Sequence, residues 1–442
     1  MKSNLVTISP DELIRLLSAE INNLPDKRTG TNKKYELKDA VIAAFSVFFT
    51  QSSSFLEHQR LMKEKKGKDN ARSMFGLAEI PCDNQIRKLL DPIPANRVFP
   101  TFKTIFEWLE KNKTINQFKY LENELLLALD GTEYHSSKKI NCPHCNCRNH
   151  KNGETTYYHQ VITPVIVSPE KKQVINLEPE FINSQDGKTK QDCENAAVKR
   201  WLLRNPIKDK TVHMTLLGDD LYSRQSICEL AICQGYNFIF VALPTSHKTL
   251  YEWLELLEKN GDVIKGEKKI YEKGKGRIYR YKYINKVPLR EMKPSIMVNW
   301  YEIEVCELKT NKVIYKNSFV TNHELNDENI EKIIRSGRTR WKIENENNNT
   351  LKNQGYNLEH NFGHGKENLA EILLSLNLLA FLFHNVLDLV NEMYKKIRKL
   401  LVVRKTFFND IRALLKYVWF ENWNDLLTYM LKDEKEKKMN TS

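Results

Sequence analysis

The sequence predicts an α/β protein, in which a mixed sheet with helices is interrupted by a β-rich insertion and preceded by an all-helical region. Apolar residues recur at helical spacing before residue 92, and short apolar strands alternate with helices between residues 124 and 243. Strand patterns return between residues 262 and 322, and helical patterns follow to the C-terminus. A chain of 442 residues can bury a large core and is long enough for roughly two or three domains.

The first region, residues 1–120, is predicted to be helical. Ser9-Pro10-Asp11-Glu12 is a helix start with proline in the first turn, and residues 37–62 alternate apolar and polar positions at helical spacing. The prolines of Asp91-Pro92-Ile93-Pro94 indicate a stiff connection toward the first strand.

The second region, residues 121–245, is predicted to be the first part of an α/β core. We expect strands at 124–130, 157–167, 172–178, 211–218 and 237–243, and helices at 190–204 and 223–234. Residues 246–325 are predicted to be an inserted β-rich domain, and residues 326–442 to complete the core with C-terminal helices.

Composition favours a polyanionic partner and a reducing compartment. The net charge of +13 points to nucleic acid, although an AT-rich codon bias toward lysine would raise it as well. Eight cysteines in 442 residues do not make a disulfide scaffold, and the N-terminus has no apolar run of signal length. The most apolar segment, residues 369–390, contains Glu371, Asn377 and His384, which predicts a buried helix rather than a membrane span. We therefore expect a cytoplasmic protein with no membrane partner.

Two apolar strands each end on an aspartate, and an acidic helix motif follows. Leu125-Leu126-Leu127-Ala128-Leu129 stops at Asp130, and Met214-Thr215-Leu216-Leu217-Gly218 stops at Asp219. The motif Arg340-Trp341-Lys342-Ile343-Glu344 comes about 120 residues later. Taken singly, such an aspartate is usually a turn residue or a helix cap, and Arg340 with Glu344 is usually a surface ion pair. Three carboxylates brought together in this order would need divalent cations.

The order of these motifs resembles the RNase H-like DDE transposases of bacterial insertion sequences. The likeness is greatest to the cut-and-paste group whose β-strand domain interrupts the catalytic core, and it covers roughly residues 120–385. That group commonly has tyrosine three residues after its second aspartate, as in Asp219-Asp220-Leu221-Tyr222. Its third motif, arginine, tryptophan, any residue, isoleucine and glutamate, is intact at Arg340 to Glu344.

The chain also departs from that pattern. The tyrosine that often stands three residues before the arginine is Gly337 here, and the usual lysine position, seven residues after the glutamate, is Leu351 with Lys352 next to it. On a regular helix Lys352 would lie about 80° around from Glu344, so its role depends on the helix end unwinding. Glu346 remains an alternative third carboxylate.

The second carboxylate also has an alternative. Asp220 competes with Asp219, although Asp220 would point elsewhere if Asp219 closes the strand.

The resemblance implies two Mg²⁺ or Mn²⁺ ions held by Asp130, Asp219 and Glu344. It implies cleavage at transposon ends followed by transfer of the freed 3′-OH into target DNA. Double-stranded DNA would be the partner, the synaptic complex would be at least a homodimer, and the protein would associate with the nucleoid. Two alternatives stay open, a transposase-derived DNA-binding protein without catalysis and a metal-dependent DNA nuclease.

Other segments are candidate DNA contacts. Arg340 and Lys352 lie in the third motif, and the basic-aromatic strand at 277–284 carries the residues Arg277, Arg280 and Lys282. The insertion also contains Trp300, which either stacks on an unpaired base or packs in the core. Residues 36–92 are either the reader of the transposon ends or a helical scaffold.

A cysteine-rich loop at residues 135–150 is a candidate structural zinc site. We expect Cys142, Cys145, Cys147 and His150 as ligands, with His135 or His144 as substitutes, because tetrahedral Zn²⁺ takes thiolate and imidazole ligands. A reduced, exposed loop is the alternative, since the usual second CxxC is missing.

Overall fold

A computed structural model of the chain describes residues 7–29, 33–62, 69–183, 192–208, 212–272 and 275–440. The strands are β1 (Leu125–Ala128), β2 (Gly131–Ser137), β3 (Asn146–Asn149), β4 (Thr155–Ile162), β5 (Val165–Val167), β6 (Ile175–Asn176), β7 (Glu180–Ile182), β8 (Met214–Gly218), β9 (Asn237–Val241), β10 (Ile264–Glu272), β11 (Lys275–Pro288), β12 (Met297–Glu307) and β13 (Val313–Thr321).

The α-helices are α1 (Pro10–Glu20), α2 (Leu37–Phe49), α3 (Phe55–Met62), α4 (Asn70–Phe75), α5 (Asp83–Leu90), α6 (Pro100–Lys111), α7 (Glu194–Arg204), α8 (Gln225–Cys233), α9 (Lys248–Asn260), α10 (Ile330–Arg338), α11 (Asn349–Asn353), α12 (Leu369–Val390), α13 (Glu392–Leu400), α14 (Arg404–Tyr417) and α15 (Trp423–Asn440). Short 3-10 turns lie at Ala95–Arg97, Thr114–Phe118 and Leu121–Asn123, and a π-helix lies at Ile343–Asn348.

A nine-stranded mixed sheet forms the centre of the protein, in the order β6-β5-β1-β8-β9-β13-β12-β11-β10. β1 is parallel to β8, and β8 is parallel to β9, whereas the other neighbours are antiparallel. The apolar residues of β1, β5 and β8 are buried throughout, as expected of strands covered on both faces. The predicted α/β class with a mixed sheet is therefore confirmed.

The inserted strands extend the core sheet. β13 pairs with β9 through Phe319 opposite Val241, so β10 to β13 continue the hydrogen-bonded sheet outward from the core. The sequence places an inserted β-rich segment at residues 246–325, and its strands share one sheet with β1 and β8. A second sheet of β2, β4 and β3, with β7 beside β4, begins directly after Asp130.

The N-terminal and C-terminal helices pack together. α2 lies against α12, and the Phe45 ring packs at a tilt against that of Phe383, with ring centroids 5.1 Å apart. Asn70 donates hydrogen bonds to the backbone oxygens of Leu415 and Val418, and the Trp423 indole donates to the Met74 oxygen. The helices expected in the region 1–120 are present, and they share a core with helices from the other end of the chain.

One helix in the described ranges, α12, is long and apolar enough to cross a membrane. Its most apolar stretch is 94% buried inside the protein. The prediction of a buried core helix at residues 369–390 is confirmed, because α12 packs against α2, α13 and β6.

Candidate functional site

The two strand-end aspartates leave the central sheet at the same edge. β1 and β8 are parallel neighbours in the register Ala128 opposite Leu217, and the Leu129 amide donates to the Leu217 oxygen. Continuing that register by two residues puts Asp130 level with Asp219. Parallel strands lie about 4.8 Å apart, so the two carboxyl groups are neighbours at the C-terminal end of the sheet.

The third motif brings its glutamate to these aspartates. Arg340 Nη2 lies 2.8 Å from Glu344 Oε1, which is the predicted i,i+4 pair. The carboxylate of Glu344 interacts electrostatically with both Asp130 and Asp219, and the Arg340 guanidinium is the cation that acts on both aspartates. The structure thus places Asp130, Asp219, Arg340 and Glu344, which the sequence linked, within range of one another's charges.

The alternative carboxylates make other contacts. Asp220 Oδ1 accepts a 2.6 Å hydrogen bond from the Leu243 amide and lies 3.8 Å from His247 Nε2, so it holds the turn after β9. Glu346 acts on the ammonium group of Lys342, which is buried and donates to the Ser168 oxygen at 2.6 Å. Neither alternative takes the place of Asp219 or Glu344 in the cluster.

Burial, with neighbouring negative charges, raises the pKa values of both aspartates. Burial is the main cause for Asp130, and Glu194, Glu344 and Asp219 add to it against the opposing Arg340, so that its pKa rises to about 7. Burial also raises the pKa of Asp219, where Asp220 and Glu344 act in the same direction. One guanidinium does not compensate the negative charge gathered at this edge, which is the electrostatic character of a cation site.

A fourth carboxylate, which the sequence analysis missed, belongs to this cluster. Glu194 is the first residue of α7, and a Cβ atom added at Gly131 would lie 2.6 Å from its Oε2. The Tyr222 hydroxyl donates a hydrogen bond to Glu194 Oε1. The tyrosine three residues after Asp219 therefore holds this glutamate beside the first aspartate. Burial raises the pKa of Glu194, and the charge of Asp219 raises it further.

Asparagines on the third-motif helix, also missed in the sequence, hold Asp130 from the other side. Asn348 Nδ2 donates to Asp130 Oδ2 at 2.9 Å. Behind it, Asn347 Nδ2 donates to Asn348 Oδ1 at 2.9 Å, and Asn176 of β6 donates to Asn347 Oδ1 at 2.7 Å. This buried chain of amides fixes the first aspartate relative to the helix that carries Glu344. The run Glu344-Asn345-Glu346-Asn347-Asn348-Asn349 was the only sequence signal for it.

The third-motif helix is π-helical from Ile343 to Asn348. A π-turn takes in one more residue than an α-turn, so the eight-residue step from Glu344 to Lys352 spans about the rotation of a seven-residue step in a regular helix. The extra residue between glutamate and lysine is absorbed in this way without unwinding the helix end. The Lys352 ammonium lies 2.8 Å from Glu359 Oε1.

The basic strand β11 divides its candidate DNA contacts between two faces. Arg277 lies on one face with Tyr279 and Tyr281, lining a groove of about 870 Å³ between the sheet and α10. Arg280 and Lys282 face the other way, where Arg280 pairs with Glu267 at 2.9 Å and Lys282 pairs with Glu258 at 2.8 Å. The three basic residues therefore do not share one face, because positions an odd number apart lie on opposite faces of a strand.

The groove that contains Arg277 is strongly basic and reaches the third motif. Trp341 of that motif lines it and is 45% exposed. Its basic lining residues are Lys268, Arg277, Lys332, Arg335, Arg338 and Lys342.

Trp300 is a core residue in this structure. Its side chain is 4% exposed on the inward face of β12, and its ring packs edge-on to Tyr251 at 6.2 Å. Its ring is therefore not accessible to a DNA base, which agrees with the alternative that Trp300 packs in the core.

A sulfur and imidazole cluster lies on the second sheet. Cys142 Sγ is 3.8 Å from Cys145 Sγ, and His159 Nε2 of β4 is 3.4 Å from each sulfur. His364 Nε2 lies 3.6 Å from Cys145 Sγ, and the four ligand atoms all fall within 4.8 Å of one another. These residues could hold a metal ion, as the cysteine-rich loop predicts.

The structure corrects half of the expected zinc ligands. Cys147 is exposed on β3, and His150 is exposed with Nε2 2.8 Å from Thr156 Oγ1, so both point away from the cluster. The substitute His135 lies beside the cluster, with its ring 4.4 Å from that of His364, while His144 faces Glu371 at 3.8 Å. His159 was missed because it lies on β4, outside the loop, and His364 because it lies 219 residues after Cys145.

A third polar group sits at the opposite end of β1. Glu122, Glu124 and His323 could also offer ligand atoms to an ion. Glu124 Oε1 accepts from Asn237 at 2.8 Å, and Thr215 bonds both Glu124 and His323. These hydrogen bonds already satisfy the buried side chains of Glu124 and His323. We therefore interpret this cluster as a hydrogen-bonded network of the core.

Neither a family model nor a curated protein matches this chain.

Proposed function

We propose that this protein is a DDE transposase of the bacterial insertion-sequence type, which cuts DNA at transposon ends and joins the freed 3′-OH to target DNA. The observation that carries the proposal is the convergence of Asp130, Asp219 and Glu344, from two parallel strands and one helix, at one edge of the sheet. No other group of acids in the described residues combines this chain order with the Arg340-to-Glu344 motif.

The donor set suits magnesium or manganese. Carboxylate oxygens are the ligands that these hard cations prefer, and the site has an excess of negative charge over the single Arg340 guanidinium. Asp130, Asp219 and Glu344 would hold two ions, with Glu194 beside them. Such ions supply Lewis-acid stabilisation of the attacking and leaving oxygens of a phosphodiester.

The protein's own residues position this chemistry. The amide of Asn348 and the backbone of β1 fix the Asp130 carboxylate, and the Arg340 pair orients Glu344. In the proposed first step, water attacks the phosphorus at the transposon end and the 3′-oxygen leaves as a hydroxyl. That 3′-OH then attacks a target phosphodiester, with one P–O bond formed and one broken, so no nucleotide cofactor is needed.

We propose that β6-β5-β1-β8-β9 form an RNase H-like core. In support, β5 alone runs antiparallel to the other four, and the aspartates follow the neighbouring parallel strands β1 and β8. The strands β10 to β13 would be the family's β insertion. The basic groove along Arg277 and Arg338 would hold the phosphate backbone of double-stranded DNA. A homodimer would pair the two ends, and the working location would be the nucleoid in the cytoplasm.

Cleavage of a labelled duplex carrying the DNA ends that flank the gene tests the proposal. Wild-type protein with Mg²⁺ or Mn²⁺ should cut and join, and Asp130→Asn, Asp219→Asn and Glu344→Gln should each lose about a hundredfold or more. Asp220→Asn and Glu346→Gln are the matched acids outside the cluster and should keep most activity. If the Glu344→Gln variant still cuts DNA, the third metal-binding carboxylate belongs to another residue.

Two other functions would give different outcomes. A transposase-derived binding protein would retain the duplex without cutting it in either metal. A metal-dependent nuclease would cut without producing a joined product. The carboxylate cluster itself favours catalysis over binding alone, because a binding protein gains nothing from half-buried, mutually repelling acids.

A further inference from the structure

Four of the six distances among the ligand atoms of the sulfur and imidazole cluster match a tetrahedron. Around a zinc ion with Zn–S near 2.3 Å and Zn–N near 2.0 Å, ideal angles give edges of about 3.8 Å for S···S and about 3.5 Å for S···N. The four edges are 3.8 Å between Cys142 and Cys145, 3.4 Å from each sulfur to His159, and 3.6 Å from Cys145 to His364. The other two edges, from His364 to Cys142 and to His159, are within 4.8 Å.

The histidines of the cluster are buried and aim one nitrogen at the sulfurs. His159 is 3% exposed and His364 is 9% exposed. The His364 ring lies 4.4 Å from that of His135 and 5.0 Å from that of His159. Burying an imidazole costs free energy unless its nitrogens have partners, and a cation bound at the Nε2 atoms of His159 and His364 would supply one for each ring.

We infer that Cys142, Cys145, His159 and His364 form a structural Zn²⁺ site. Two thiolates and two imidazoles in a closed tetrahedron leave no open position, which marks a structural rather than a catalytic zinc. The Cys142-Pro143-His144-Cys145 turn presents both sulfurs on one side, and the Cys142 amide donates to Cys145 Sγ at 3.4 Å. The site stands whether or not the chain cuts DNA, since none of its ligands belongs to the carboxylate cluster.

The ion would join two parts of the chain that the carboxylate cluster also joins. Cys142 and Cys145 follow β2, which begins at the residue after Asp130. His364 lies in the segment after α11, which continues the helix of Glu344. That segment is anchored on its other side by Asp91, whose carboxylate accepts from the Lys366, Glu367 and Leu369 amides. Zinc would therefore tie the extension of the first aspartate's strand to the loop beyond the third motif.

Metal content of the purified full-length chain tests the site. Wild type should contain one zinc per chain, and Co²⁺ replacing it should give the intense visible bands of a tetrahedral ion with thiolate charge transfer. Cys142→Ser and His364→Ala should each lose the zinc, whereas Cys147→Ser, a cysteine of the same loop, should keep it. If His364→Ala keeps the zinc and His135→Ala loses it, then His135 rather than His364 is the fourth ligand and the proposed ligand set is wrong.

The spectrum of the wild type decides the question even where a variant fails to fold. A wild-type chain that binds neither zinc nor cobalt at one equivalent, or that binds cobalt with an octahedral spectrum, overturns the site. Because this readout is spectroscopic, a zinc-free result would leave the proposed DNA chemistry untouched. Conversely, an inactive protein with a tetrahedral cobalt spectrum would overturn only the transposase proposal.

Discussion

At the scale of single residues, the titration of Asp130 should change the stability of the protein. Its carboxyl is buried beside other acids, and its pKa rises from the ordinary 3.8 to about 7. The folded state therefore binds a proton that the unfolded state has released between pH 4 and pH 7, so stability falls as pH rises through that window.

We expect the metal-free protein to lose about 1 to 3 kcal/mol of unfolding free energy between pH 4 and pH 7 through this group. Burial raises the pKa of Glu371 to about 7 too. The pH dependence of wild-type stability therefore includes contributions from both Asp130 and Glu371. The difference between wild type and Asp130→Asn in urea unfolding isolates the Asp130 share, and Mg²⁺ should recover more stability at pH 8 than at pH 5. Identical pH profiles for the two proteins would contradict the raised pKa.

Glu194 is predicted to position cations rather than to hold the fold together. Replacing it by glutamine removes one charge from a crowded site while the Tyr222 hydroxyl keeps a partner. We expect Glu194→Gln to raise stability by about 1 kcal/mol without metal and to require about tenfold more Mg²⁺ for half-maximal cutting. Mg²⁺ titration of cleavage and of thermal unfolding measures both effects.

The matched control for Glu194 is Glu229→Gln on α8, which the structure places outside the carboxylate cluster. An unchanged Mg²⁺ requirement in Glu194→Gln would make that residue a structural partner of Tyr222 alone.

At the scale of elements, the π-helix from Ile343 to Asn348 sets the register between Glu344 and the residues after it. Deleting the exposed Asn345 should convert the π-turn to an α-turn and leave Asn348 and Lys352 at about the same angle around the helix from Glu344. Asp130 would then keep its amide donor. We expect a folded protein, by circular dichroism, that retains most of its cutting.

Asn345→Ala keeps the length of the helix and is the control for that deletion. It should retain cutting, because the exposed Asn345 side chain accepts a hydrogen bond from Asn349 Nδ2 of the same helix and is not bonded to Asp130. If the deletion variant loses cutting while Asn345→Ala keeps it, the π-turn does more than absorb one extra residue.

The two faces of β11 make a second prediction at this scale. Arg277 lines the basic groove, whereas Arg280 is paired with Glu267 on the other face. Arg277→Ala should weaken duplex binding by about fivefold and reduce the slope of log affinity against log salt by about one. Arg280→Ala should change neither quantity in the same fluorescence-anisotropy titration. Equal losses in both variants would mean that DNA does not follow the groove.

The sequence was informative where the signal was local. Apolar runs placed Asp130 and Asp219 correctly at strand ends, and the i,i+4 spacing predicted the Arg340 pair with Glu344. Glu194, His159 and His364 lie on other parts of the chain, and only the fold brings them to these sites. Asn348 lies on the helix of Glu344, but its contact with Asp130 depends on how that helix packs on the sheet. The π-turn could not be predicted either. In the sequence, its single extra residue only changes the spacing between the glutamate and the lysine.

At the scale of the whole molecule, the helices from both ends share a core. α2 is buried along nearly its whole length, so it has no face to offer to a major groove, and of the two alternatives for residues 36–92 the scaffold fits this helix better. The Phe45 ring, fully buried, packs on Phe383 of α12, and α12 in turn packs against β6 of the central sheet.

This continuity predicts that the described chain unfolds as one cooperative unit. Phe45→Ala should cost about 3 to 5 kcal/mol, whereas Leu56→Ala, at a side chain 51% exposed, should cost less than about 0.5 kcal/mol. Native-state amide hydrogen exchange gives the decisive comparison. In a single unit, Phe45→Ala lowers the protection of the slowest amides in α2 and in β1 and β8 by the same free energy. Loss of protection in α2 with β1 and β8 unchanged would mean that the N-terminal helices fold independently of the sheet, as a domain boundary near residue 120 requires.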